Sequence, residues 1–447
     1  MRVEEADAPS IGSGRGTNEL SPSYSLSAST GESHHSQKKK NPQSSASHRL
    51  APPTAASTPW RRRRLVDDVI PEILLRLPPD EPKWLFRAAL ACKPWLRTIS
   101  DPTFLHRYRA FHGAPPLLGL IDREPLIDRV PRFVATTAVP AFSFLIPTIS
   151  AWPTFSACAL DCRHGRALIR KIENGRQRYF VCDPVTGDRH RVPRPDVGTQ
   201  WMVYAAAAIF CAVTGCQHLD CHGGPFYVVF MFRNWLLART TMSATIYSSE
   251  MGAWSVPATL EGIHDNKAYG RGALIGDEIY FMLSGDAGIT KYDWRKNCLS
   301  VVNRPPSAAF SGGVTLMEME DCSLGFAGIE HTRIYLWSRR VSSKKYALWS
   351  RRVSSVKNAE WVQCRVIDLE KMMPMANPRD RAQVVGFAEG VGVIFITTGV
   401  GLFMMELKSG RVKKIGKPRR NISILPYMSF YTPDRCRLSS LRGPADL

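Results

Sequence analysis

Acidic residues are scarce in this chain: 39 Asp and Glu stand against 59 Lys and Arg, a formal net charge of +20 over 447 residues. The few carboxylates are spread through turn-like segments, so a paired-carboxylate acid/base site has no support. No G-x-S-x-G elbow, H-E-x-x-H helix or Walker loop occurs, and an enzyme is not expected. Long apolar runs are missing too. The longest, WMVYAAAAIFCAV from Trp201, is shorter than the ~20 residues that cross a bilayer. A second run near Phe142 is broken by Pro140 and Pro147. The start, MRVEEADAP, is acidic and polar where a secretory signal needs an apolar stretch. A soluble protein of the nucleus or cytoplasm, with no membrane partner, is the expectation.

The eleven cysteines are an odd number, scattered in spacing, and read as thiols of an intracellular chain. One cluster places Cys211, Cys216, His218, Cys221 and His222 in CAVTGCQHLDCHGG. Thiolates and imidazoles are zinc ligands, but the tight C-x2-C knuckle is missing. On spacing alone the cluster is expected to be metal-free, and no cofactor is expected elsewhere. The positive charge is mostly dispersed, with dense runs only at Lys38–Lys40 and Arg61–Arg64. These suit an import signal or an acidic partner. Without zinc-finger spacing, a basic zipper or an RNA-binding aromatic motif, sequence-specific nucleic-acid reading is not expected.

Four segments succeed one another. Residues 1–60 are rich in Ser, Pro, Gly and Thr, cannot bury enough surface to offset ordering entropy, and are expected to be a disordered tail. Residues 61–112 form a small all-α block. In it Val69, Ile73, Leu74 and Leu77 recur at helical spacing, behind the first-turn carboxylates Asp67 and Asp68. Pro78-Pro79 stops that helix. A second is expected over Lys83–Cys92 and a third from Pro94, while Asp101-Pro102 opens a fourth that aligns Phe104, Tyr108 and Phe111. The stretch from Trp84 to Ile99 carries apolar residues on so many sides that so small a block cannot cover them all. A partner chain should cover the rest.

Residues 113–435 switch to short strands separated by Gly- or Asn-containing turns, ahead of a short tail at 436–447. Turns at Thr186-Gly187, Met251-Gly252, Lys296-Asn297 and Ser409-Gly410 lie 65, 45 and 113 residues apart. A period near 45 residues with about four strands per unit predicts a β-propeller of about six blades. The longest interval holds a near-exact duplication, LWSRRVSSKKYA from Leu336 followed by LWSRRVSSVKNA from Leu348. One copy is expected to complete a blade and the other to lengthen a hairpin.

The helical block resembles the F-box, the module that docks ubiquitin-ligase substrate receptors on a Skp-family adaptor. The resemblance rests on Leu65, Asp68, Pro71-Glu72-Ile73-Leu74, Arg76-Leu77-Pro78, Leu85, Arg87-Ala88 and Cys92-Lys93-Pro94-Trp95. The family usually opens with Leu-Pro, whereas here Val66 follows Leu65, a difference confined to the entry turn. With its β region the chain looks like the plant F-box proteins that carry an F-box-associated, propeller-like β-domain. The resemblance implies a substrate receptor of a cullin–RING ligase, with no catalytic group of its own and an unknown target protein. Its adaptor contacts would come from Leu65, Val69, Ile73, Leu74, Leu77, Pro78, Leu85, Leu90, Cys92, Lys93 and Trp95. The alternative from charge alone is a basic propeller scaffold that binds nucleic acid or other polyanions.

Overall fold

The computed structural model describes residues 69–433, apart from 124–130, 138–155, 175, 197–202, 235–240, 263–267, 285–287, 307–309, 311–312, 342–358, 376–380 and 419–422. Leu65, the segment 1–60, both basic runs, the duplicate copy from Leu348 and the tail 436–447 lie outside the described residues.

Four short helices open it: α1 (Val69–Leu75), α2 (Lys83–Ala91), α3 (Lys93–Ser100) and α4 (Pro102–His112). The last turn of α1 tightens through Arg76 N–H to Ile73 O and Leu77 N–H to Leu74 O, and Pro78-Pro79 then prevents continuation. Cys92 is extended and separates α2 from α3, so α2 ends one residue before the expected Cys92. Asp101 caps α4, its carboxylate accepting from Thr103 N–H at 2.7 Å and Phe104 N–H at 3.2 Å. Those bonds hold the exposed Asp101 carboxyl below its ordinary pKa. The buried stripe of α4 runs through Phe104, Leu105, Tyr108 and Arg109. Phe111 departs from the expected line-up and is exposed, because this stripe has turned away from it by the last turn.

Six antiparallel sheets follow. The first is opened by β1 (Leu117–Asp122) and β2 (Phe133–Ala135). The second holds β3 (Ser156–Arg163), β4 (Arg166–Glu173), β5 (Arg176–Cys182) and β6 (Arg189–Val192). The third holds β7 (Val203–Cys211), β8 (Phe226–Asn234) and β9 (Thr241–Ser248), with β10 (Ala253–Trp254) and β11 (Ala258–Glu261) both pairing with β9. The fourth is β12 (Ala268–Ile275), β13 (Glu278–Leu283), β14 (Ile289–Asp293) and β15 (Cys298–Val302). The fifth is β16 (Val314–Glu318), β17 (Leu324–Glu330), β18 (Arg333–Val341) and β19 (Ala359–Asp368). The sixth is β20 (Gln383–Ala388), β21 (Val393–Thr397), β22 (Leu402–Glu406) and β23 (Val412–Gly416). Finally β24 (Ile424–Met428) returns to pair with β1 in the first sheet. The molecule is a six-bladed β-propeller, closed by pairing its first strands with its last. Strands β3, β7, β12, β16, β20 and β24 touch one another in turn and form the inner ring.

Each blade buries both faces, which explains the near-continuous apolar strands. In β7, Ala206, Ala208 and Phe210 pack towards the β12–β15 blade, while Ala207 and Ile209 pack towards the β3–β6 blade. The Ala206–Cys211 part of the run that begins at Trp201 is therefore doubly buried, and its period-2 alternation is between two apolar neighbours. All four expected turns join the third strand of a blade to its next one. Gly187, Gly252, Asn297 and Gly410 sit there at φ between 50° and 75°, the left-handed region that glycine and asparagine tolerate. The first six residues of the first copy, Leu336–Val341, lie in strand β18, with Leu336 and Trp337 buried in opposite inter-blade cores.

Candidate functional site

The helical block builds its own small core. Leu74, Leu75, Leu85, Ala88, Ala89, Ile99, Phe104, Leu105 and Tyr108 cluster there, and Phe430 from the segment after β24 joins them. Phe86 stacks on Tyr431 at 5.1 Å between ring centroids, and Phe430 meets Tyr108 edge-on at 6.2 Å. Tyr108 Oη donates to Leu77 O at 2.9 Å, and burial pushes that phenol well above its ordinary pKa. His112 bonds the free carbonyl of Leu75 at 2.9 Å, and burial of its ring lowers its pKa. One side of the block is thus covered by the chain's own C-terminal segment.

The residues assigned to adaptor contact divide into two sets. Leu74 and Leu85, each 1% exposed, belong to the internal core, with Leu77, Pro78 and Trp95 half-buried around it. Leu90 is 82% exposed, Ile73 45% and Val69 43%, and Cys92 and Lys93 are exposed as well. Trp84 and Leu96, which sequence reasoning did not place among the contacts, are also exposed. On α1, Val69, Glu72 and Ile73 fall on the outer face at helical spacing, followed by the exposed Arg76 in the turn after it. On α2 the outer positions are Trp84, Arg87 and Leu90. Lys83 and Arg87 lie 5.2 and 5.1 Å from the Trp84 ring, and Trp84 Nε1 donates to Glu81 at 2.8 Å. Hydrogen bonds from Lys83 and then Trp84 hold the exposed Glu81 carboxyl below its ordinary pKa. The result is a set of exposed aliphatic and aromatic side chains with a basic rim, the composition of a protein-docking surface.

The propeller carries a second feature that sequence reasoning missed. Asp161 and Arg163 on β3, Arg271 on β12 and Glu389 just beyond β20 form one charged network. Arg163 pairs with Asp161 at 2.7 Å and Glu389 at 2.6 Å, and Arg271 pairs with the same two carboxylates at 3.1 Å each. Asp161 also accepts from Ile209 N–H of β7 at 2.9 Å, and Arg271 donates to Cys162 O and Phe387 O. Burial pushes the Glu389 carboxyl up, but the guanidinium charges of Arg163 and Arg271 outweigh it and hold it at about 2. These charges are committed to one another and to backbone groups of four blades, so the network stitches the ring. A cavity of about 450 Å³ lies beside it, lined by Arg163, His164, His218, Arg271, Glu318 and Glu389 and by Gly113–Pro115 after α4. That size suits a small ligand or a peptide side chain.

The end of β7 and the loop from β7 to β8 bring Cys211, Cys216, His218 and Cys221 together, although their spacing lacks a C-x2-C knuckle. The chain turns back at Gly215 and His218, both at positive φ, and so draws these side chains near one another.

The family model described as F-box protein AT5G49610-like, beta-propeller matches residues 158–434. No curated protein matches the sequence significantly. Among solved structures, the extracellular domain of the putative hybrid two-component system BT4673 from B. thetaiotaomicron is similar at 13% identity and TM-score 0.33. That likeness covers 61% of this chain and 29% of that one, so the chain spans less than a third of it. A Mycobacterium tuberculosis puromycin-hydrolyzing peptidase is similar at 13% identity and TM-score 0.33, over 62% of this chain and 38% of that one. The six-bladed Aleuria aurantia lectin is similar at 14% identity and TM-score 0.33, over 62% and 79%.

Proposed function

The chain belongs to the family of F-box proteins with an AT5G49610-like β-propeller, and on that premise we propose that it is the substrate-receptor subunit of a cullin–RING ubiquitin ligase. The helical block docks on a Skp-family adaptor, and the propeller holds a target protein within reach of the ubiquitin-loaded enzyme. Rate enhancement then comes from proximity, with no nucleophile or base supplied by this chain. The observation that carries the reading is the exposed apolar set on α1–α3, with Leu90 the most exposed, in a block whose EIL–RLP–CKPW succession resembles the F-box. A nuclear or cytoplasmic location follows from this role.

Burying Leu90 against the adaptor is worth about 1.5–3 kcal/mol, or roughly ten- to hundredfold in affinity. The full chain should co-purify with a Skp-family adaptor, and Leu90→Asp combined with Ile73→Asp should abolish capture without lowering the melting temperature. Equal capture by the wild type and the double variant would refute the docking face. The net charge of +20 supports a second reading, a polyanion-binding scaffold. Its binding would weaken steeply with salt, whereas apolar docking on an adaptor would not.

A further inference from the structure

We propose that the β7–β8 loop is a zinc site of the Cys3His type, formed by Cys211, Cys216, His218 and Cys221, and that the ion fixes the surface on which the helical block rests. This inference is independent of the adaptor reading.

The geometry is that of a four-ligand shell. One ligand atom from each residue can be chosen so that all four lie within 4.8 Å of one another. A tetrahedral zinc with Zn–S near 2.3 Å has ligand–ligand edges of about 3.8 Å. Cys221 Sγ and His218 Nδ1 are 3.7 Å apart, so one edge is already formed. Contraction of the longer edges by about 1 Å completes the shell.

The surroundings suit thiolates. Val213 N–H points at Cys211 Sγ at 3.4 Å and His218 N–H at Cys216 Sγ at 3.3 Å, donors that stabilise charged sulfur. The His218 ring is held by stacking on His164 at 3.7 Å between centroids, and His164 Nδ1 accepts from Cys211 N–H at 3.1 Å. These contacts orient two ligands from behind. Three thiolates and one neutral imidazole around Zn²⁺ leave one net negative charge. The Arg166 guanidinium lies against this loop, bonded to the carbonyls of Cys221, His222 and Gly224. Its Nη1 is buried with no hydrogen-bond partner among the described residues, so its charge is only partly spent on the backbone.

The site has a structural consequence. Between ligands His218 and Cys221 lie Leu219, which packs on the core of the helical block, and Asp220, which pairs with the buried Arg109 of α4. The metal would therefore hold the two loop residues that anchor the helices to the propeller. Four ligands from protein leave no open coordination position, so the site is structural and not catalytic.

Elemental analysis of the full chain, purified under reducing conditions without chelator, should find about one zinc per chain. Cys216→Ser and His218→Asn should lose it, while Cys364→Ser, an exposed cysteine of β19, should retain it. In case the ligand variants fail to fold, cobalt exchanged into the wild-type protein should show the intense visible bands of a tetrahedral thiolate site. Chelation should sharply accelerate proteolytic cleavage within residues 212–225. A wild-type protein with well under half an equivalent of zinc and no cobalt bands would overturn the proposal. So would full zinc content in both folded ligand variants, or a disulfide among these cysteines in the reduced preparation.

Discussion

Replacing Glu389 by Gln tests whether the charged network carries the ring. The amide keeps the shape of a protonated carboxyl and removes the charge that faces Arg163 and Arg271 at 2.6 and 3.1 Å. Both guanidiniums must then share Asp161. Holding the Glu389 pKa at about 2, against 4.5 for the free group, corresponds to about 3 kcal/mol of stability at neutral pH. Breaking a buried pair from one side gives a similar figure, roughly 3–5 kcal/mol. The sign is that of a depressed acid: the contribution is complete above about pH 4.5 and is lost as pH falls towards 2. Denaturant unfolding of both proteins from pH 7 to pH 3 should show a gap of about 3 kcal/mol at neutrality that narrows below pH 4.5. Near the acid end the wild type behaves as its own amide mimic. A gap under about 1 kcal/mol at pH 7, or one that does not change with pH, would refute the linkage.

Other perturbations address the remaining joints. Phe430→Ala removes a propeller-side ring from the helical core and should cost about 3–5 kcal/mol, seen as separate melting of the helical block ahead of the propeller in calorimetry. Leu74→Ala should lower stability by about 2–5 kcal/mol, whereas Leu90→Ala should leave the melting temperature unchanged. Deleting Leu336–Ala347 joins Tyr335 to Leu348-Trp349-Ser350-Arg351-Arg352, which restores the β18 sequence residue for residue. Since loop closure depends only logarithmically on length, chemical denaturation should place the deletion within about 1 kcal/mol of wild type.

What could be read from the sequence depended on how local its cause was. The turns at Gly187, Gly252, Asn297 and Gly410 require a left-handed backbone, and only a few residue types accept it, so they mark blades reliably. The helical block was legible for the same reason, since prolines and Asp101 punctuate it within a few residues. The closing blade was not, because β1 pairs with β24 across almost the whole propeller and neither strand announces its partner. The charged network shares that difficulty: Arg163 and Glu389 are 226 positions apart. Its one local sign was Asp161-Cys162-Arg163, two opposite charges at the end of a largely apolar strand, a pattern that suits a buried ion pair. The Cys/His loop was hard to read for a different reason. Its spacing was judged against a compact knuckle, while the backbone reverses at Gly215 and His218 and brings the four side chains together without one.

The circular closure also explains why the helical block and the propeller form a joined unit. Because β24 supplies the inner strand of the first blade, the chain emerges beside β1, next to the point where α4 ends at His112. Residues 430–432 therefore lie against the helices: Phe430 enters their core, Tyr431 stacks on Phe86, and Thr432 accepts from Arg109. Arg109 reaches Asp220 of the β7–β8 loop from the same position. Two segments remote in sequence thus fix one helix from two sides. For the proposed receptor role such a joint would matter, since a hinge there would spread a bound target over many orientations relative to the transferring enzyme. The joint buries an aromatic ring, Phe430, and a cation, Arg109, so loss of either would loosen the packing of the helices on the propeller.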